Sequence, residues 1–114
     1  MSIELPFPPS RNHTHVRARS GAEVPTKVYR KWMADARLLV QAACREMHPQ
    51  LVRITFWLYW PDRRRSDADN RLKLVKDALS GILVKDDCWT CLPQEHIYNE
   101  LDRDNPRVVV SWEV

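Results

Sequence analysis

The chain has 114 residues, 44% hydrophobic and 29% charged, which suits one globular domain over residues 1–114 and argues against disorder over most of its length. The longest apolar stretch, residues 54–60, is far short of the ~20 residues of a membrane helix; the start has neither the basic nor the apolar segment of a secretory leader, and three cysteines (Cys44, Cys88, Cys91) cannot all pair, which fits a reducing cytosol. The formal charge of +3 divides into +7 over residues 1–65 and −4 over residues 66–114, either ordinary surface charge or a basic half suited to a polyanion beside an acidic half suited to a cation.

Ile3 to Phe7 reads as a short strand ended by the run Pro6-Phe7-Pro8-Pro9. Residues 10–24, with Arg11, Asn12, His13, His15, Arg17 and Arg19 around Gly21, read as a polar loop. Pro25-Thr26 opens a helix reaching about Met47, because Tyr29, Trp32, Met33, Ala36, Leu39, Val40, Ala43 and Met47 share one apolar stripe. His48-Pro49 stops it.

Leu51 to Trp60 is the strongest strand, with Val52, Ile54, Phe56, Leu58 and Trp60 on one face and Arg53, Thr55, Trp57 and Tyr59 on the other. Pro61 to Ser66 is a charged loop leading into Asp67-Ala68-Asp69-Asn70. A second helix follows to Ser80, with Leu72, Val75, Ala78 and Leu79 inward and Gly81 just past its end. Ile82–Val84, His96–Leu101 and Arg107–Val114 read as three further strands, the last two joined by a hairpin turn at Asp102–Pro106. The order β-α-β-α-β-β-β predicts an α+β domain, a mixed sheet with two helices packed on one face. With Gly21 and Gly81 the only glycines, a Gly-rich phosphate loop is excluded.

Two acidic groups stand out: Asp67-x-Asp69 at the mouth of the second helix, and Asp86-Asp87 beyond it. One aspartate can cap the helix, but four crowded carboxylates repel unless a cation sits among them. Mg²⁺ takes such hard oxygen ligands together with water and phosphate oxygen. Asp69, Lys73 and Asp77 recur every fourth residue and so form one stripe, distinct from the apolar one. Lys73 then either makes a helix-surface ion pair worth a few tenths of a kcal/mol or reaches a phosphate held at the metal.

The run Pro61-Asp62-Arg63-Arg64-Arg65-Ser66-Asp67-Ala68-Asp69-Asn70-Arg71-Leu72-Lys73, followed by Asp77-Ala78-Leu79 and Asp86-Asp87, resembles the RusA family of Holliday-junction resolving endonucleases. The opening Leu5-Pro6-Phe7-Pro8-Pro9-Ser10-Arg11-Asn12 is similar to that family's first strand and turn. The resemblance implies a RusA-like fold and a homodimeric, Mg²⁺-dependent nuclease, with Mn²⁺ able to substitute. Its substrate would be branched DNA, with paired symmetric nicks in four-way junctions during recombination and repair. Such enzymes are often carried by phages and prophages, so the cytoplasm of a bacterial or phage-infected cell is implied. The family's essential acidic residues map onto Asp67, Asp69 and Asp87, the implied metal ligands, and its essential lysine onto Lys73. The resemblance makes Arg11 and Asn12 either DNA contacts or residues that simply order the turn, and Arg63, Arg64, Arg65, Lys73 and Lys76 are the further candidate DNA contacts. Two departures bear on grip and cleavage: Trp89 stands where the family usually has glutamine, and no Lys or Arg occurs from Asp86 through Asp102. A non-catalytic branched-DNA-binding protein of the same fold is the alternative those departures suggest.

The pattern Asp followed later by Asp/Glu-x-Lys, typical of restriction-type nucleases, is not matched, since Arg71 occupies the acidic position. Asp86 can serve either as an extra ligand or as support for one. Arg63-Arg64-Arg65 is either a solvated loop or a phosphate contact, the latter favoured beside a metal cluster that must meet DNA. Cys88-Trp89-Thr90-Cys91 followed by His96 invites a zinc reading, but a structural zinc site wants four ligands and Cys44 lies away in the first helix.

Overall fold

The computed structural model describes residues 1–10, 15–64 and 68–114. Within them the chain order is β1 (Ser2–Pro6), β2 (His15–Arg17), β3 (Glu23–Pro25), α1 (Lys27–Ala43), β4 (Arg53–Trp60), α2 (Ala68–Leu79), β5 (Glu95–Leu101) and β6 (Arg107–Glu113). A mixed sheet has the spatial order β1-β6-β4-β5, in which β5 runs parallel to β4 and the other pairings are antiparallel. With the two helices this is the α+β architecture expected. No helix among the described residues is long and apolar enough to cross a membrane.

The alternation in β4 sets the layers. Ile54, Phe56 and Leu58 are fully buried, whereas Thr55, Trp57 and Tyr59 on the opposite face are only half-buried. The register keeps large side chains in phase: Leu58 and Leu5 both pair with Val108, and Phe56 and Ile3 both pair with Val110. That face joins Trp32, Ala36 and Val40 of α1 and Leu72, Val75, Ala78 and Leu79 of α2 in one core.

Side chains fix how the helices meet the sheet and each other. The Thr26 hydroxyl caps α1 by accepting the Tyr29 N–H at 3.2 Å. The Trp32 indole N–H donates to the Pro6 carbonyl at 2.9 Å, tying α1 to β1. Arg37 donates to the Asp77 and Ser80 carbonyls at 3.1 and 3.0 Å, placing a cation at the negative end of α2.

Four expectations are corrected. Residues 15–25 hold a two-stranded ribbon, β2 paired with β3, in place of an irregular loop. Gly21, at φ +87°, lets the chain reverse there. The first helix ends at Ala43, short of Met47, because Cys44 turns extended and His48 donates its N–H to the Leu83 carbonyl at 2.7 Å. Met47, beyond the helix, is exposed, and so is Leu39 within it, off the buried stripe of Trp32, Ala36 and Val40.

Ile82–Val84 forms a turn instead of a strand. Gly81, at φ +83°, reverses the chain after α2, and its N–H returns to the Val84 carbonyl. The apolar character of Leu83 and Val84 reflects burial of that turn. Finally, Asp102–Pro106 is no hairpin: β5 and β6 lie on opposite sides of β4, so this segment steps over the end of the central strand. There the Asp102 N–H donates to the Trp60 carbonyl at 2.8 Å, and its carboxylate accepts from Arg107, also at 2.8 Å.

Candidate active site

Burial of Leu72, Val75, Ala78 and Leu79 orients α2 and leaves Asp69, Lys73 and Asp77 on the stripe outside the core. Gly81 then turns the chain back, and the following segment brings Asp87 against that stripe. The Lys73 ammonium lies 3.0 Å from Asp87 Oδ2 and 3.1 Å from Asp77 Oδ1. Hydrogen bonds to Asp87 and then Asp77 outweigh burial and raise its pKa above the ordinary lysine value. Lys73 is therefore charged at neutral pH. Its contribution to folding is complete below the unfolded lysine's pKa and fades as alkaline pH passes through the folded one.

Asp69 sits exposed in the first turn of α2, one turn before Lys73. Asp67, its expected companion, lies outside the described residues. Lys76 forms an ion pair with Glu95 of β5, so a phosphate contact there would have to displace that carboxylate. Asp86 and Asp87 diverge. Asp87 meets Lys73, while Asp86 turns to the cysteines, its Oδ1 accepting the Cys88 N–H at 2.9 Å. Hydrogen bonds from Cys88 hold the Asp86 carboxyl below its usual pKa.

The N-terminal proline turn reaches the same region through Arg71, a residue whose role sequence reasoning missed. Its guanidinium packs 5.2 Å from the Phe7 ring centroid and 5.7 Å from that of Trp60, and it donates to the Pro8 carbonyl. Burial lowers its pKa, opposed by the charge of Asp62. A lone arginine within a basic and acidic run carries no periodic signal of burial. Arg11 and Asn12, which follow the turn, lie outside the described residues, as do His13 and Arg65.

Arg63 and Arg64 are exposed on an open cleft of about 670 Å³, lined also by Trp60, Ala68, Asn99 and Leu101. Asp62 holds the base of this loop, accepting the Arg64 N–H at 2.9 Å. Trp89, 79% exposed, stands two residues beyond Asp87 in sequence. Two features therefore stand out: two carboxylates around one ammonium, and a cleft that carries Arg63 and Arg64 together with Asp62 and Glu100. Among the described residues the ion-pair partners of Lys73 are carboxylate oxygens, the ligand type that suits a hard divalent cation.

A family model described as Endodeoxyribonuclease RusA matches residues 6–113. The chain is 37% identical over 81 residues to the crossover junction endodeoxyribonuclease RusA of Escherichia coli strain K12, and equally so to that of Escherichia coli O1:K1. It is 36% identical over the same length to that of Shigella sonnei strain Ss046. Each match covers 69% of this chain and 66% of the relative, a little under two thirds of the relative's length.

Proposed function

Because the chain belongs to the RusA endodeoxyribonuclease family, we propose that it is a crossover junction endodeoxyribonuclease. In this reading it resolves four-way DNA junctions by paired, symmetric nicks with Mg²⁺, or Mn²⁺ in its place, in the cytoplasm of a bacterial or phage-infected cell. The observation that carries the proposal is the contact of Lys73 with Asp87. It brings together two residues of the implied set, Lys73 and Asp87, that stand 14 positions apart in sequence. Asp67, Asp69 and Asp87 would hold the metal. When bound, Mg²⁺ supplies an activated water and neutralises charge on the scissile phosphate and the departing oxygen.

The side chains divide the remaining work. Asp77 and Asp87 hold the Lys73 ammonium from two sides, and a phosphate oxygen entering the cluster gains a fixed positive charge already oriented. Arg63 and Arg64 line the approach, where guanidinium contacts to phosphate would fix the register of the DNA without reading its sequence, and Arg65 is proposed to act with them. A nicking assay on a synthetic four-way junction with Mg²⁺ tests the reading directly. Binding without nicking would leave a branched-DNA-binding protein of the same fold.

The arginine loop gives its own prediction. Each of Arg63, Arg64 and Arg65 that contacts phosphate releases counterions, so its removal reduces the log–log salt slope of junction binding by roughly one. A triple alanine variant is expected to show a clearly shallower slope. An unchanged slope would mean that the run faces away from DNA.

Two nicks on opposed strands need two equivalent sites, and a C₂ homodimer is the simplest arrangement that supplies them. The outer sheet face supports this proposal. Trp57 stacks on Tyr98 with ring centroids 5.8 Å apart, and Arg107 lies 3.8 Å over the Tyr59 ring. β5 is exposed at every position, including Ile97, Tyr98 and Leu101, and an open edge of this kind invites pairing with a second chain. Light scattering without DNA is expected to give twice the 13.5 kDa of one chain. A monomeric mass at micromolar concentration, with paired cleavage retained, would leave assembly on DNA alone.

A further inference from the structure

The turn after Asp87 carries a second set of ligating groups that the nuclease reading does not use. Cys88 and Cys91 place their sulfurs 3.6 Å apart, and Asp86 Oδ1 lies 4.0 Å from the Cys91 sulfur. Ligand atoms of all three residues fall within 4.8 Å of one another. From these distances we propose that Asp86, Cys88 and Cys91 bind one thiophilic divalent cation of the Zn²⁺ type, with a fourth position open to water.

The distances support that ion. Two Zn–S bonds of about 2.3 Å at a tetrahedral angle separate the sulfurs by about 3.8 Å, and one such bond with a Zn–O bond of about 2.0–2.2 Å separates sulfur from oxygen by about 3.5–3.7 Å. The sulfur pair is within about 0.2 Å of that spacing, and the carboxylate has only a few tenths of an ångström to close on the Cys91 sulfur. A disulfide, by contrast, needs the sulfurs at about 2.05 Å. The third ligand is thus the carboxylate of Asp86; neither Cys44 nor His96 belongs to this group of ligand atoms.

The backbone holds the set in place. The Cys91 and Leu92 N–H groups both donate to the Cys88 carbonyl, at 3.1 and 3.0 Å, forming one tight turn that puts both thiols on the same side. The Cys91 carbonyl accepts the Leu51 N–H at 2.9 Å, anchoring the turn to the segment before β4. Cys91 is buried, while Cys88 and Asp86 are exposed, so an ion would have an anchored base and an open approach.

Donor chemistry sorts the two sites. Sulfur ligands select a softer ion than the oxygen cluster around Lys73 does. Because Asp86 and Asp87 point to different partners, both sites can be filled at once. An ion on Asp86 would brace the turn that delivers Asp87, although its binding is measured without DNA and is independent of cleavage.

The test uses the full chain, reduced and stripped with chelator, titrated with Co²⁺ as the optical probe and with Zn²⁺ by equilibrium dialysis. One Co²⁺ per chain is expected, with thiolate-to-cobalt charge-transfer absorption that excess Mg²⁺ does not remove. Cys88→Ser and Cys91→Ser should each lose the absorption, and Asp86→Asn should weaken binding by about tenfold or more. Cys88 is exposed, so Cys88→Ser keeps the test valid even where Cys91→Ser fails to fold. Zn²⁺ should raise the Tm of the parent chain but not that of Cys88→Ser. Absence of the charge-transfer band, its survival in Cys88→Ser, or ready oxidation of the pair with no metal bound would each overturn the proposal.

Discussion

Asp87→Asn is expected to abolish Mg²⁺-dependent nicking of a four-way junction while junction binding survives or tightens. The substitution removes one negative charge and keeps the shape, so the loss falls on cation binding. Lys73 stays in place, since the asparagine carbonyl still accepts a hydrogen bond and Asp77 holds the ammonium at 3.1 Å from the other side. Removing a carboxylate also relieves its repulsion of phosphate, which is why affinity is expected to hold or rise. Asp69→Asn and Asp67→Asn should behave alike. Nicking rates measured at saturating Mg²⁺, with binding measured in chelator, separate the two effects. Near-normal nicking by any of the three variants would remove that residue from the proposed metal site.

What local pattern encodes was legible in the sequence, and what distant pairing encodes was not. The alternation Ile54-Phe56-Leu58 and the stripe Leu72-Val75-Ala78-Leu79 identify a buried strand face and a buried helix face because apolar periodicity directly reports which side meets the core. Gly81 marks the end of α2 because its positive φ suits a residue without Cβ. Nothing local to Asp102–Pro106 tells which strand lies between its two neighbours. A hairpin and a step over β4 need similar turn residues, and the difference resides in the pairing of β4 with both β5 and β6. The ribbon of β2 and β3 was similarly hidden, since its strands are short and exposed throughout and carry no core-facing alternation.

The site divides along the same line. Helical spacing alone sets Asp69, Lys73 and Asp77 on one stripe, but the approach of Asp87 depends on how the buried turn at Leu83 and Val84 folds back after Gly81. The divergence of Asp86 from Asp87 depends on a hydrogen bond from Cys88, which adjacency in sequence does not foretell. In the sequence Arg71 stands out only as the wrong residue for another nuclease pattern. Its packing between Phe7 and Trp60 requires three segments to meet, and none of them announces the others.

Lys73→Ala is expected to lower single-turnover cleavage by ~10²-fold or more with the fold intact. Magnitude decides between its two roles. A half-exposed helix-surface ion pair contributes at most about 1 kcal/mol to stability, and alanine restores some of that through its higher helix propensity. A group that stabilises charge developing on phosphate acts in the transition state, where loss of one oriented donor costs far more. The ion pairs to Asp77 and Asp87 add a second discriminating readout. Without the ammonium those carboxylates repel one another more strongly, so the variant should bind Mg²⁺ as tightly as the parent chain or tighter. A slow enzyme that saturates at equal or lower Mg²⁺ therefore identifies Lys73 as a group that acts on phosphate. A slow enzyme rescued only by high Mg²⁺ would make it a positioning residue for the acidic cluster. Equal single-turnover rates for variant and parent, at matched Tm, would reduce Lys73 to an ordinary surface ion pair.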